Sequence, residues 1–190
     1  MFDSLMRWAA EQPDSLAVRL VDVDGNMPDQ TLNFAALHDR SSCIAQWLID
    51  RGLAPGEGLA LLMENSLHQF EWGWGARRAG LYYTPISIHL KPAEVAYVLK
   101  DCGARLLVTT PGMAALAEQV NAILAAEGAQ PPLCCVVGGV YKTFVQADLA
   151  LQQFSADTPL PQRPVGRDFL YSSGTTGFPK GVKRPLQRFE

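Results

Sequence analysis

The amino-acid sequence predicts an α/β fold, in which a mostly parallel sheet is flanked by helices and preceded by an N-terminal β-hairpin. From residue 58 onwards, short apolar segments alternate with longer segments of helical periodicity, which is typical of right-handed βαβ units. The segment 58–63, GLALLM, is apolar throughout, as expected for a strand covered on both faces. Glycine and proline residues mark several boundaries between the segments, where they favour helix ends.

The N-terminal part is predicted to contain two helices and the hairpin. Its predicted elements are a helix at residues 2–10, strands at 17–23 and 30–32, and a helix at 34–48. Asp24 and Gly25 supply a tight turn between the two strands. In the second helix the apolar side chains recur with helical spacing, and Gly52 is expected to end it.

The rest of the chain is predicted to alternate between strands and helices. Strands are expected at residues 58–63, 82–86, 105–109, 134–137 and 168–173, and helices at 66–79, 92–102 and 113–126. Pro92 lies in the first turn of its helix and Gly103 ends it. Residues 155–167 contain three prolines and are expected to form an extended connector. The last strand leads into a Gly- and Thr-rich loop at the edge of the sheet where α/β proteins bind ligands.

The composition argues against several classes of protein. The chain has 190 residues, a net charge of -3 and no basic stripe, so a nucleic-acid partner has no electrostatic basis. Its four cysteines show no CxxC pair and no metal-ligand spacing, which favours a reducing cytoplasm over secretion. The N-terminus lacks the pattern of a signal peptide, and no apolar stretch reaches the roughly 20 residues of a membrane helix. We therefore expect a cytoplasmic protein without a transmembrane segment, and membrane association stays open.

The segment 171–182, YSSGTTGFPKGV, has the composition of a phosphate-binding loop. Its three glycines allow backbone N–H groups to approach phosphate oxygens closely, because no Cβ intervenes and positive φ is accessible. Consecutive N–H groups in such a turn form an anion-binding nest. Further donors are the hydroxyl groups of Ser172, Ser173, Thr175 and Thr176. Lys180 supplies a positive charge for the β- or γ-phosphate, and Pro179 restricts the loop.

Two other interpretations of this segment fit less well. Counted from Gly174, the P-loop pattern GxxxxGK[ST] places Lys180 correctly. However, Pro179 stands where that pattern needs its second glycine, and Gly181 stands where it needs Ser or Thr. The following segment, KRPLQRFE, contains a proline and does not resemble the start of an amphipathic helix. A Gly/Ser-rich turn without a ligand would not require two hydroxyl pairs, three glycines and Pro-Lys-Gly in this order.

Other candidate motifs have simpler structural explanations. Gly73 and Gly75 begin a GxGxxG pattern, but Arg78 replaces the third glycine, so a helix-packing face is favoured over a dinucleotide site. The three histidines lack a Cys, Asp or second His at ligand spacing; they are His38, His68 and His89. The tryptophans are interpreted as core residues; they are Trp8, Trp47, Trp72 and Trp74. The adjacent cysteines on a predicted buried strand are interpreted as inert packing; they are Cys134 and Cys135.

The segment YSSGTTGFPKGV resembles the phosphate-loop motif of the adenylate-forming enzymes. This family includes acyl- and aryl-CoA synthetases, peptide-synthetase adenylation domains and luciferases. Residues 32–66 and 76–110 are similar to two other characteristic blocks of the family, so the resemblance covers most of residues 15–183. GLYYTPISIHL and GVKRPL are most similar to the fatty-acyl-CoA ligase branch. Lys91 departs from the family pattern, which often has a capping Thr or Ser before Pro92, so this helix cap is expected to be missing.

The resemblance implies a two-step reaction in which a carboxylate attacks the α-phosphate of ATP and CoA then attacks the acyl-adenylate. The substrates would be a carboxylic acid, with a fatty acid preferred, ATP with Mg²⁺, and CoA. Carried over residue by residue, the resemblance implies that the ATP phosphates are bound by Ser172, Ser173, Gly174, Thr175, Thr176, Gly177 and Lys180. It assigns no catalytic residue and no protein metal ligand to this chain.

Residues 1–190 are accordingly expected to form the N-terminal part of an AMP-binding domain that ends soon after the phosphate loop. The family's adenine- and ribose-binding segments and its C-terminal lysine have no counterpart in the chain. We therefore expect the chain alone to be inactive as a ligase. One alternative stays open, namely a truncated, non-catalytic nucleotide-binding or interaction module derived from the family.

Overall fold

The computed structural model describes residues 4–21, 28–172 and 179–186. Within these residues the chain forms a two-stranded sheet and a seven-stranded sheet flanked by helices. The helices are α1 (Ser4–Glu11), α2 (Phe34–Asp50), α3 (Leu67–Arg78), α4 (Pro92–Cys102), α5 (Pro111–Ala126) and α6 (Ala147–Leu151). The strands are β1 (Leu16–Leu20), β2 (Gln30–Asn33), β3 (Gly58–Leu62), β4 (Tyr82–Pro85), β5 (Ala104–Thr109), β6 (Leu133–Val136), β7 (Val145–Gln146), β8 (Arg167–Ser172) and β9 (Lys180–Lys183). The predicted α/β class is confirmed.

The N-terminal strands β1 and β2 pair antiparallel, as the hairpin prediction requires. The predicted turn at Asp24 and Gly25 lies outside the described residues. Asn33 ends β2 and caps α2, because its side-chain oxygen accepts a hydrogen bond from Ala36 N at 2.8 Å. The small sheet and α1 share a core cluster with the start of α2, and the rings of Trp8 and Phe34 stack there at 6.0 Å.

The large sheet has the strand order β7-β6-β5-β3-β4-β8-β9. Its neighbouring strands are parallel except for β8 and β9, which pair antiparallel. Strand β3 is buried along its whole length, which explains its uninterrupted apolar sequence. Leu59 and Leu61 pack into the cluster under α2, α3 and α6, whereas Ala60 and Leu62 pack under α4 and α5. The sheet is thus covered by helices on both faces.

The small residues of α3 allow it to pack closely on α2. A Cβ at Gly75 would lie 2.8 Å from the Cβ of Ile44, which is closer than carbon atoms can approach. Trp47 and Trp72 are buried at the same helix–helix contact, with their rings edge to face at 5.7 Å. The packing interpretation of the GxGxxG pattern is therefore confirmed, as is the core position of these two tryptophans.

The two ends of α4 lie where the sequence predicts them. Gly103 adopts φ 63°, a left-handed conformation that ends the helix, as predicted. At the other end Lys91 makes no side-chain cap, as its sequence implies, but the carboxylate of Glu94 accepts a hydrogen bond from Lys91 N at 2.7 Å. Glu94 therefore satisfies one of the free N–H groups of the first turn.

Three elements were not anticipated from the sequence, namely β7, α6 and β9. β7 has two residues and α6 has five, too few for a periodic pattern to be recognised. The connector at residues 155–167 has little regular structure but is docked on the fold. Arg163 donates to the carbonyl oxygens of Leu53 and Ala79 at 2.8 and 3.1 Å. Gly166 N donates to Arg77 O at 2.8 Å, so the connector sets the start of β8.

Candidate functional site

The predicted phosphate loop connects β8 to β9 at the carboxyl edge of the parallel strands. Ser172, the last residue of β8, is paired across the ladder with Lys180, the first residue of β9. Both residues are exposed, and Ser172 Oγ lies 3.4 Å from the carbonyl oxygen of Lys180. The other predicted phosphate-binding residues lie outside the described residues; they are Ser173, Gly174, Thr175, Thr176 and Gly177. The structure therefore brings together the two ends of the predicted site.

A cavity of about 570 Å³ opens at the same edge of the sheet, past the ends of β3 and β4. Its lining residues are Met63, Glu64, Asn65, Gln69, Pro85, Ile86, Ser87, Ile88 and His89. Glu64 accepts a hydrogen bond from the hydroxyl of Thr110, the residue that precedes α5. Its carboxylate therefore also offsets the partial positive charge at the start of that helix.

Aromatic rings support the β8–β9 hairpin from one side. The rings of Phe169 and Tyr171 stack at 5.2 Å. Gly181 lies opposite Tyr171, and a Cβ there would come within 2.9 Å of Tyr171 Cζ and 3.0 Å of Phe169 Cζ. The third glycine of the loop motif therefore leaves room for these two rings. The sequence suggested a role for Gly181 in approaching phosphate, and the structure adds this packing reason.

Side chains of β4 and β8 hold the return strand in place. The hydroxyl of Tyr82 donates to Arg184 O at 2.7 Å. Lys183 Nζ lies 4.6 Å from the ring centroid of Tyr82, within the range of a cation–π contact. Arg184 lies 3.3 Å from the carboxylate of Asp168. The sequence did not point to these contacts, since Tyr82 lies far from Arg184 in the chain and β9 was not predicted as a strand.

A buried carboxylate links α2 and α3. Glu71 is 3% exposed, and its two oxygens lie 2.5 Å from Arg40 Nη1 and 2.8 Å from His68 Nδ1. Burial alone would raise the pKa of Glu71, but its hydrogen bonds and charge interactions with His68 and Arg40 hold that pKa below its ordinary value. The hydrogen bond to Glu71 raises the pKa of His68. The His-x-x-Glu spacing was a usable sequence signal for this pair, whereas Arg40 had none.

Arg40→Met should lower the free energy of unfolding by roughly 1–3 kcal/mol at neutral pH, because Glu71 loses a charged partner in a buried setting. The effect falls below that of a fully buried pair because the Arg40 side chain is 56% exposed. Urea denaturation would measure it. The matched control is Arg19→Met, which removes the exposed ion pair with Asp29 and should cost less than about 1 kcal/mol. Equal effects of the two substitutions would contradict the role given to burial.

The contribution of Glu71 and His68 to the free energy of unfolding should depend on pH, and it should fall on both sides of a mildly acidic range. The contribution of Glu71 is present above its unfolded pKa of about 4.3 and is lost as pH falls through its lowered folded value. The contribution of His68 is present below its unfolded pKa of about 6.5 and is lost as pH rises through its raised folded value. The cluster of Arg40, Glu71 and His68 therefore stabilises the fold most in mildly acidic solution.

The remaining polar candidates differ in their surroundings, and His89 is one of the residues that line the cavity. His89 is exposed, and His38 Nδ1 lies 2.7 Å from an Arg78 nitrogen. Burial raises the pKa of the Cys134 and Cys135 thiols, in agreement with inert packing. Among the described residues, no group of three or more His, Cys, Asp or Glu is placed to hold a metal ion. In that same part of the chain, no helix is both long and apolar enough to cross a membrane.

The family model of AMP-binding enzymes matches residues 5–187, which is nearly the whole chain. The chain belongs to this family. The match includes the β8–β9 hairpin and its loop, together with both faces of the sheet. The resemblance inferred from the loop motif and the two upstream blocks is therefore confirmed.

Several curated AMP-binding relatives are similar to the chain. It is 33% identical over 153 residues to a fatty acid–acyl-carrier-protein ligase of Streptomyces coeruleorubidus, a match covering 80% of the chain and 28% of the relative. It is 29% identical over 180 residues to a long-chain-fatty-acid–CoA ligase of Mycobacterium tuberculosis, covering 92% and 34%. It is 30% identical over 182 residues to the coprinoferrin synthetase of Coprinopsis cinerea, covering 93% and 7%. The chain thus spans 34% or less of the length of these relatives.

Solved structures of AMP-binding enzymes share the fold. An anthranilate CoA ligase in complex with anthranoyl-AMP superposes with a TM-score of 0.77 at 25% identity, covering 94% of this chain and 33% of the ligase. An acyl-CoA synthetase of Brucella canis superposes with a TM-score of 0.74 at 23% identity, covering 93% and 31%. The predicted fold of an adenylate-forming enzyme is thereby confirmed for this chain.

Proposed function

We propose that the chain supplies the ATP phosphate-binding part of a ligase that activates a carboxylic acid as an acyl-adenylate. The observation that carries this proposal is the hairpin that holds Ser172 opposite Lys180 at the carboxyl edge of the sheet. The loop between them has two glycines and three hydroxyl side chains, and Ser172 itself adds a fourth hydroxyl. Seven residues are proposed to bind the phosphates, namely Ser172, Ser173, Gly174, Thr175, Thr176, Gly177 and Lys180. Membership of the AMP-binding family supports the same chemistry.

In the proposed first step, a carboxylate oxygen attacks the α-phosphorus of ATP and the bond to the β-phosphate oxygen breaks. Pyrophosphate leaves with the bonding electron pair, and the loop holds it in line and offsets its charge. In the second step, the sulfur of CoA attacks the acyl carbon, AMP leaves, and the thiol proton is released. Mg²⁺ would arrive with the ATP phosphates as part of the substrate.

A fatty acid and CoA are the substrates we propose for the complete reaction. Two ligases among the relatives act on fatty acids, one with CoA and one with an acyl carrier protein as the acceptor. The segments GLYYTPISIHL and GVKRPL favour the CoA ligases. The free thiols of Cys43, Cys102, Cys134 and Cys135 support a cytoplasmic location. Residues 1–190 would be the N-terminal part of the AMP-binding domain, with 155–167 as a connector inside it.

A binding experiment tests the phosphate loop in the chain itself. We expect MgATP and pyrophosphate to bind in calorimetry, and AMP to bind at least about tenfold more weakly because it lacks the phosphates that the nest holds. Gly174→Ala or Gly177→Ala should weaken MgATP binding while the circular dichroism spectrum stays unchanged. The control is Gly73→Ala, whose added Cβ would make an ordinary 3.5 Å contact with the Tyr83 ring. Normal binding by both loop variants would show that the nest assignment is wrong.

A turnover experiment separates the ligase from the non-catalytic alternative. The chain is incubated with ATP, Mg²⁺, CoA and a panel of fatty and aromatic acids, and pyrophosphate and thioester formation are followed. We expect no turnover by the chain alone, because the phosphate contacts fix only one end of ATP. Turnover is expected once the downstream region of the AMP-binding domain is present. MgATP binding without turnover in that longer protein would favour the non-catalytic module.

A further inference from the structure

We propose that Tyr171 and Asp101 form a positioning pair for the phosphate site, in which the Tyr171 hydroxyl ties the end of β8 to the end of α4. The hydroxyl donates a hydrogen bond to Asp101 Oδ2. Tyr171 directly precedes Ser172, and its backbone partner Gly181 directly follows Lys180. The pair therefore acts on the ladder position next to Ser172 and Lys180. This inference rests on the proposed function of those two residues.

The end of β8 needs such a contact because its backbone pairs with a strand on one side only. In the described residues, β4 pairs with β8 only at Tyr82↔Arg167 and Tyr83↔Asp168. From Phe169 onwards, the ladder partner of β8 is β9, an edge strand with all four residues exposed. Backbone hydrogen bonds thus join the two strands of the hairpin, and side chains must join the hairpin tip to the rest of the fold.

Asp101 offers a firm attachment point. It lies in the last turn of α4, whose apolar face packs with α5 against the sheet. A carboxylate at a helix C-terminus is disfavoured by the helix dipole, so the position of Asp101 does not stabilise α4 by itself. The hydrogen bond from the phenol compensates for this and connects helix to hairpin. Burial, together with this hydrogen bond, raises the pKa of Tyr171, so the phenol keeps the proton that it donates.

The Tyr171 ring is held as firmly as its hydroxyl. It stacks on Phe169 at 5.2 Å and crosses β9 where Gly181 leaves space. Without the hydrogen bond, the ring would still stack on Phe169, but the Tyr171 hydroxyl would no longer tie the end of β8 to Asp101 of α4. Displacements of about 1 Å in a site that aligns reacting groups can cost up to 10²-fold in rate. Because the pair does not touch ATP, it acts on binding only through coupling, and we expect MgATP binding about two- to thirtyfold weaker in Tyr171→Phe.

The test is a double-mutant cycle on MgATP affinity, measured by calorimetry at a temperature where all variants are folded. Tyr171→Phe and Asp101→Ala should each weaken binding by similar factors, and the double variant should bind no more weakly than either one. Asp101→Asn, which keeps a hydrogen-bond acceptor, should restore most of the affinity. The control is Tyr141→Phe, which removes another phenol–carboxylate hydrogen bond, to Glu118 at 3.0 Å, and should leave affinity unchanged. Independent, additive effects or no rescue by Asn would overturn the proposal.

Amide hydrogen exchange provides a second test of the Tyr171–Asp101 pair, one that does not depend on ATP binding. Tyr171→Phe and Asp101→Ala should speed exchange at Leu170, Ser172 and Lys180 by severalfold, and leave the buried strand β3 unchanged. If the unsubstituted chain binds neither MgATP nor pyrophosphate, the proposed function fails, and the exchange result alone decides the positioning role. Unchanged exchange at the β8–β9 ladder would then reject it.

Discussion

Lys180→Ala should slow acyl-adenylate formation by roughly 10²–10³-fold, the usual cost of removing one charge-stabilising contact from a transition state. The neighbouring cationic side chains already contact other groups, because Lys183 lies over the Tyr82 ring and Arg184 pairs with Asp168. Among the described residues, no carboxylate pairs with Lys180. ATP–pyrophosphate exchange, in a protein that includes the downstream region, would measure the effect.

The kinetic pattern separates a phosphate contact from a general effect of charge. A contact made with the leaving pyrophosphate should lower kcat and kcat/KM together. Lys183→Ala is the matched control, since it removes the same charge from the same strand but from a side chain that packs on aromatic rings. We expect that control to change the exchange rate by less than about fivefold. An unchanged rate in Lys180→Ala would remove Lys180 from the site.

Gly166→Ala should destabilise the fold by about 3 kcal/mol, near the upper end of the range for overpacking. The added Cβ would lie 2.8 Å from Ala76 O and 2.8 Å from Leu81 N, and would also meet Leu81 O. These are backbone atoms of the last turns of α3 and of the segment that joins it to β4, so they cannot move aside as a flexible side chain could. Gly166 is itself held there, because its N–H donates to Arg77 O at 2.8 Å.

Urea denaturation would measure the loss, with Gly73→Ala as the control. That glycine lies within α3, where alanine is favoured by up to about 1 kcal/mol, and its new Cβ meets only the Tyr83 ring at an ordinary distance. We expect the control to be neutral or slightly stabilising. Similar stabilities of the two variants would contradict the close approach at Gly166. A displaced β8 should also weaken MgATP binding, since Gly166 precedes the strand that enters the loop.

The elements predicted well are those whose signals are local. Helix α4 was predicted at residues 92–102 and is observed as Pro92–Cys102, because a proline opens it and Gly103 ends it. Strand β3 was recognised from its apolar run. β9 was missed because KGVK carries only one strong strand former, and its extended conformation depends on pairing with β8.

The sequence by itself determined the family and the α/β alternation, since each depends on residue types within short segments, and its loop motif predicts phosphate binding. The tertiary structure decided which distant side chains support that loop. Only the folded chain places Asp101 beside Tyr171, and only the packing of α2 on α3 brings Arg40 to Glu71. Helix and turn preferences act over a few residues, whereas these contacts form only when elements distant in the chain pack together. The family and the fold could therefore be predicted from the sequence, and the contacts that hold the ends of the loop could not.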